Sequence, residues 1–181
     1  MPRYGVILLL EPAVADASIA YSAALAAAHP TFMALGPDAP PHITLLHAAC
    51  EPAQAAEWWS AAQRAGDTFD VERAGLVLEE VPVGNEYSPD GGVTCGVNII
   101  RSAALNHAHE IVLAAAREAG TRPMGAAGDR FRPHITLNFF RSFPTGPIPF
   151  AAPAVSGPAT ARLAFGELGP FGTFPRIISS R

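Results

Sequence analysis

The pentapeptide Pro-His-Ile-Thr-Leu is written twice in this chain of 181 residues, at Pro41–Leu45 and again at Pro133–Leu137. The two histidines stand 134 − 42 = 92 residues apart, about half the chain, which is the spacing of a duplicated unit. Residues two apart in a β-strand project to the same face. His42 and Thr44 therefore share one face of a strand, as do His134 and Thr136, while Ile43, Leu45, Ile135 and Leu137 turn the other way. This is the alternation of a half-buried strand. Two such strands brought together would offer two imidazoles and two hydroxyls to one space. Packing alone accounts for the repeated Ile and Leu, but it does not call for a repeated His and Thr opposite them.

The flanking sequence repeats in organisation as well. Residues 3–10 read as a buried strand, 13–28 as an alanine-rich helix ending before His29-Pro30, 30–40 as a loop, and 42–48 as the first motif strand. A helix opened by Glu51-Pro52 runs to about Gly66 and is followed by a strand over 68–79. Turn-forming residues at 82–92 make the midpoint connection. Then comes the same order again: a strand over 93–100, a helix N-capped by Ser102 and closed at Gly120, a loop over 121–132, and the second motif strand over 133–140. Five prolines in 142–158 forbid a long regular element there, and two closing strands are expected at about 160–168 and 171–178.

Composition narrows the partners. A hydrophobic fraction of 49% suffices for a core, and the length suits one unit built of two lobes. All 12 basic residues are arginine and the net charge is −4, which argues against an extended duplex nucleic-acid surface but not against a small phosphate ligand. Cys50 and Cys95 have no metal-ligand spacing and read as buried free thiols. The apolar start, Gly5 to Leu10, is cut short by Glu11-Pro12 and reads as a first strand, not a signal peptide. No stretch approaches the ~20 apolar residues of a membrane span. A cytoplasmic monomer with no membrane partner is the expectation.

The paired His-hydrophobic-Thr-hydrophobic strands resemble the signature of the two-histidine phosphoesterases, which include the RNA 2',3'-cyclic phosphodiesterases once called 2'-5' RNA ligases. Both copies fit that pattern, as does Arg132-Pro133 before the second. The resemblance implies an α+β fold of two pseudo-symmetric lobes, with antiparallel sheets facing a central cleft and helices outside. It also implies phosphodiester hydrolysis with no cofactor and no metal, in which His42, Thr44, His134 and Thr136 take the family's catalytic positions. Many RNA-processing members carry an arginine soon after the second motif's leucine; here Asn138 follows Leu137 and Arg141 comes later.

The chemistry suits the residue types. Imidazole titrates near ~6.5, so one histidine can act as base and another as acid close to neutral pH. Threonine hydroxyls can donate to phosphoryl oxygens. Arg130 and Arg132 approach the second motif as candidate phosphate contacts, with solvated loop arginines as the alternative. Phe171, expected at the start of the last strand, is a candidate base-stacking platform, with core packing as its alternative. The expected partner is a small cyclic phosphate, a nucleotide or an RNA 3' end.

Two rival readings stay open at this point. A metal hydrolase could draw on His42, His47, His107, His109 and a carboxylate such as Asp129 or Glu110, although His107 and His109 are two apart on a helix and share no face. A binding module of the same fold without turnover is the other. His29, His47, His107 and His109 otherwise read as surface or capping residues. No Gly-x-Ser-x-Gly elbow supports a serine hydrolase.

Overall fold

A computed structural model describes residues 1–181. The first half of the chain runs β1 (Arg3–Leu10), α1 (Pro12–Ala28), β2 (Thr31–Ala34), β3 (His42–Ala49), α2 (Pro52–Ala62) and β4 (Thr68–Val81). The second runs β5 (Gly92–Ile99), α3 (Ala103–Glu118), β6 (Arg122–Met124), β7 (His134–Phe140), α4 (Ala152–Val155) and β8 (Ser156–Glu167), followed by β9 (Arg176–Ser180). The fold is α+β, and every strand pairing is antiparallel.

Helix boundaries follow local chemistry. Pro12 and Pro52 open α1 and α2, where the missing N–H costs nothing. The Ser102 hydroxyl caps α3 by accepting from the Leu105 N–H at 3.2 Å. Gly120 ends that helix in the left-handed region, at φ 66°.

Hydrogen bonding runs through all nine strands in the order β2-β7-β5-β4-β8-β1-β3-β6, with β9 against β8. Exchanging each strand for its counterpart in the other half (β1 with β5, β2 with β6, β3 with β7, β4 with β8) reverses this order and leaves it unchanged. The repeat is thus a pseudo-twofold, with β4 and β8 paired across its axis. The edge strands are traded between halves. β2 pairs with the second motif strand β7, and β6 pairs with the first motif strand β3.

That exchange explains what local reading misses. Thr31–Ala34 and Arg122–Met124 lie in stretches read as loops, yet both are strands, because their partners lie more than seventy residues away in sequence. The end of the chain is corrected likewise. β8 begins at Ser156 and carries Pro158 where β4 is its one neighbour, and Phe171 sits in a tight turn, Pro170–Gly172, before β9 starts at Arg176.

The core draws on both halves. Ile43, Leu45, Ile135 and Leu137 are all at most 1% exposed and lie in the main apolar cluster. The Trp58 ring from α2 is fully buried in the same cluster and donates its indole N–H to the Val112 carbonyl of α3 at 3.1 Å. No helix is long and apolar enough to cross a membrane.

Candidate active site

With Ile and Leu facing the core, the alternate residues of β3 and β7 line one open cleft of about 360 Å³. His42, Thr44, His134 and Thr136 all face it. β3 and β7 are not hydrogen-bonded neighbours, but they pack close enough for the two histidines to feel each other electrostatically.

The two histidines are held alike at Nδ1. His42 donates its Nδ1–H to the Pro40 carbonyl at 2.8 Å, and His134 donates its own to the Arg132 carbonyl at 2.9 Å, each two residues back. A carbonyl can only accept, so Nδ1 carries the proton in both rings and Nε2 is left for chemistry. The residue before proline is biased to the extended region, which turns each preceding carbonyl alongside its ring.

A bulge recurs at the same place in both copies. Register slips between Val6 and Ile7 opposite Leu45, and between Cys95 and Gly96 opposite Leu137. Each bulged residue's carbonyl is satisfied from the helix of the other half. Ser22 of α1 donates to the Leu137 carbonyl at 2.8 Å and accepts from the Leu35 N–H at 2.8 Å. His109 of α3 donates from Nδ1 to the Leu45 carbonyl at 2.8 Å and accepts at Nε2 from the Gly128 N–H at 2.8 Å. His109 also stacks on Phe131 at 4.1 Å. One bulge is thus held by a serine, the other by a histidine. His109 is a buried crosslink and not the surface or capping residue expected.

Burial sets the protonation states. It lowers His42 from 6.5 to about 4, with the His134 charge pushing the same way and the Pro40 and Gly172 carbonyls opposing. His134 is lowered by burial too, then by the Arg132 guanidinium, while the Arg132 carbonyl and Glu79 oppose. Both imidazoles are neutral at pH 7 when the cleft is empty.

The flanking candidates divide. Arg132 reaches the cleft, but its guanidinium is paired with Glu79. Arg130 is exposed on a short turn, Gly128–Arg130, and does not line the cleft. Arg141 is also outside, lying 4.5 Å over the Phe32 ring. Phe171 lines the cleft and stacks on Phe32 at 5.7 Å and 16°, with Phe139 at 5.1 Å. Its φ of 56° is unusual for a bulky side chain, and the Phe171 N–H is held by the Tyr87 carbonyl at 3.0 Å. Charged residues of the lining are two carboxylates, Glu79 and Glu80, against one guanidinium, Arg132. No three His, Cys, Asp or Glu side chains converge as a ligand set for a metal ion.

No protein-family model matches this sequence, and no curated protein matches it. Solved structures do. A crystal structure of the MHV ns2 PDE domain shares 12% identity over 92% of this chain and 99% of that one, with a TM-score of 0.56. A crystal structure of a phosphoesterase shares 14% over 98% and 95%, at 0.57, and that of E. coli LigT in apo form shares 15% over 98% and 95%, at 0.54. The chain shares the fold of these three structures. At these identities the likeness is one of fold, and the roles of individual residues rest on the site itself.

Two further residues line this cleft, one read in the sequence only as a rival metal ligand or a surface residue and the other not read at all. His47 is buried in the cleft wall, not on the surface, and Tyr87 arrives from the midpoint loop. Burial, with the charges of His42, His134 and Arg3, lowers His47 from 6.5 to about 3. Phe174 packs edge-on to His42 at 4.8 Å and against His47 at 5.5 Å. Room for this comes from Gly5 and Gly166, paired across β1 and β8; a Cβ on either would come within 2.9 Å of His47 Cδ2 or Phe174 Cδ1, respectively. The one available signal for His47 was its place on the motif strand; for Tyr87 there was none.

Proposed function

We propose that the protein hydrolyses a small cyclic phosphodiester, a 2',3'-cyclic phosphate of a nucleotide, by paired-histidine acid–base catalysis. The observation that carries this is the matched pair of imidazoles, both with Nδ1 tied to backbone and Nε2 left for chemistry beside a threonine hydroxyl. One neutral ring takes a proton from water as the water oxygen attacks phosphorus. The other, protonated, gives its proton to the ribose oxygen as the P–O bond breaks, leaving a phosphomonoester. Thr44 and Thr136 donate to the non-bridging oxygens, where negative charge accumulates.

Charge supports a small substrate. The lining holds two carboxylates and one guanidinium already engaged by Glu79, so no free arginine waits for a chain of phosphates. The single negative charge of a cyclic phosphodiester is met instead by the proton that one histidine must take up. The Phe171–Phe32–Phe139 cluster supports a planar base at the mouth, and a bulky residue kept at positive φ is a feature found more often at binding sites than elsewhere.

The test is a panel of 2',3'-cyclic nucleotides and cyclic-phosphate-ended oligonucleotides assayed with EDTA present. Turnover of the mononucleotides is expected, with a bell-shaped pH profile. His42→Ala and His134→Ala should each lower kcat by at least ~10²-fold. Loss of activity on chelation, or a near-normal rate in either variant, would overturn the reading; tight binding without turnover would mark a binding module.

A further inference from the structure

The Thr44 hydroxyl is not alone in the cleft. His47 stands three residues on, with Nε2 at 3.3 Å from Thr44 Oγ1 and Nδ1 at 2.9 Å from the Tyr87 hydroxyl. A neutral imidazole has one N–H and one acceptor nitrogen, so only two arrangements of protons are possible. In one, Tyr87 donates to Nδ1 and Nε2–H donates to Thr44, leaving the Thr44 proton free. In the other, Thr44 donates to Nε2 and Nδ1–H donates to Tyr87. Each arrangement leaves one hydroxyl proton without a partner in the protein, on Thr44 in the first and on Tyr87 in the second. The first is favoured because the phenol is the more acidic hydroxyl, hence the stronger donor to the imidazole lone pair, and makes the shorter contact, 2.9 Å against 3.3 Å; it leaves the free donor on Thr44, for a ligand.

The second motif has no such arrangement. The position equivalent to His47, five residues after the motif histidine, is Phe139, and the Thr136 hydroxyl makes no hydrogen bond within the protein. The pseudo-twofold therefore breaks at this point. Tyr87 is itself fixed: its carbonyl accepts from Phe171 N–H at 3.0 Å, its N–H donates to Asn85 Oδ1 at 2.9 Å, and neighbouring Glu86 accepts from the Gly125 N–H at 3.0 Å.

We infer that Tyr87 and His47 form a positioning relay that holds Thr44 with its hydroxyl proton turned toward the phosphoryl group, so that the two threonines are unequal donors. This rests on the phosphodiester reading for its kinetic consequence but not for its proton arrangement. Preorganised donors are the costliest kind to lose. His47 acts through Thr44 and does not itself exchange protons with the substrate.

Long-range ¹H–¹⁵N correlation of the histidine rings should find His47 in the Nε2–H tautomer, and Tyr87→Phe should mix the tautomers. Tyr87→Phe and His47→Leu should each lower kcat about tenfold with KM changed less than about twofold, and His47→Gln, which can accept from Tyr87 and donate to Thr44, should recover most of that. In a Thr44→Val background, His47→Leu should cost nothing more. An Nδ1–H tautomer in the wild type, or losses that multiply in the double variant, would overturn the relay. If the wild type turns over no cyclic phosphate, the tautomer result still decides the relay, and only the functional reading falls. Should His47→Leu fail to fold, Tyr87→Phe carries the test alone.

Discussion

Replacing His47 by glutamine should leave the protein about as stable as the wild type at pH 7 and make it more stable in acid. In the folded protein burial lowers His47 to about 3, while in the unfolded chain it titrates near ~6.5. Between those values the unfolded state binds the extra proton, so stability falls as pH drops through 6.5 and stops falling on this account only below about 3. At pH 4.5 the imidazole is some two units below its unfolded value and still neutral when folded, a penalty of about 3 kcal/mol at ~1.4 kcal/mol per unit. Glutamine does not titrate and keeps both hydrogen-bonding roles. Urea unfolding of both proteins at pH 7.5, 6.0 and 4.5 reads the difference directly. The wild type should lose about 3 kcal/mol more than the variant over that range. Parallel stability curves would refute the reasoning, since they would mean that His47 takes up its proton in the folded state as readily as in the unfolded one.

Two further outcomes follow from the site. Ser22→Ala strips two buried backbone groups of a partner, and His109→Ala one buried and one half-buried, and each should cost about 2 to 4 kcal/mol in urea unfolding with the slope unchanged; an unmoved midpoint would show that the helices do not hold the bulges. Glu79→Gln frees the Arg132 guanidinium, and because that pair is largely exposed the gain should be near ~1 kcal/mol, or roughly a fivefold lower KM for an anionic substrate. The gain should shrink in high salt, and a KM unchanged at low salt would count against Arg132 as a phosphate contact.

The motif strands were legible because their information is local. A period of two residues places His and Thr opposite Ile and Leu whatever the rest of the chain does, and His42, Thr44, His134 and Thr136 do share one cleft. The helix starts at Pro52 and Ser102 were legible for the same reason. Arg130 shows the limit. It and Arg132 look alike in sequence, two positions apart, but the turn at Gly128–Arg130 leaves the first in solvent while the second continues toward the motif strand. Whether Arg132 is a free cation depends on Glu79, from a strand more than fifty residues earlier.

By itself, then, the sequence determined the pair of strands, which face of each is polar, and that the chain repeats. Periodicity and capping act within a few residues and need no partner. Only the tertiary structure decided that edge strands are traded between halves, that helices of one half hold the bulges of the other, and that His47 and Tyr87 break the symmetry beside Thr44. Each of these joins residues distant along the chain, and no local rule of spacing records which distant groups a folded backbone will bring within hydrogen-bonding reach.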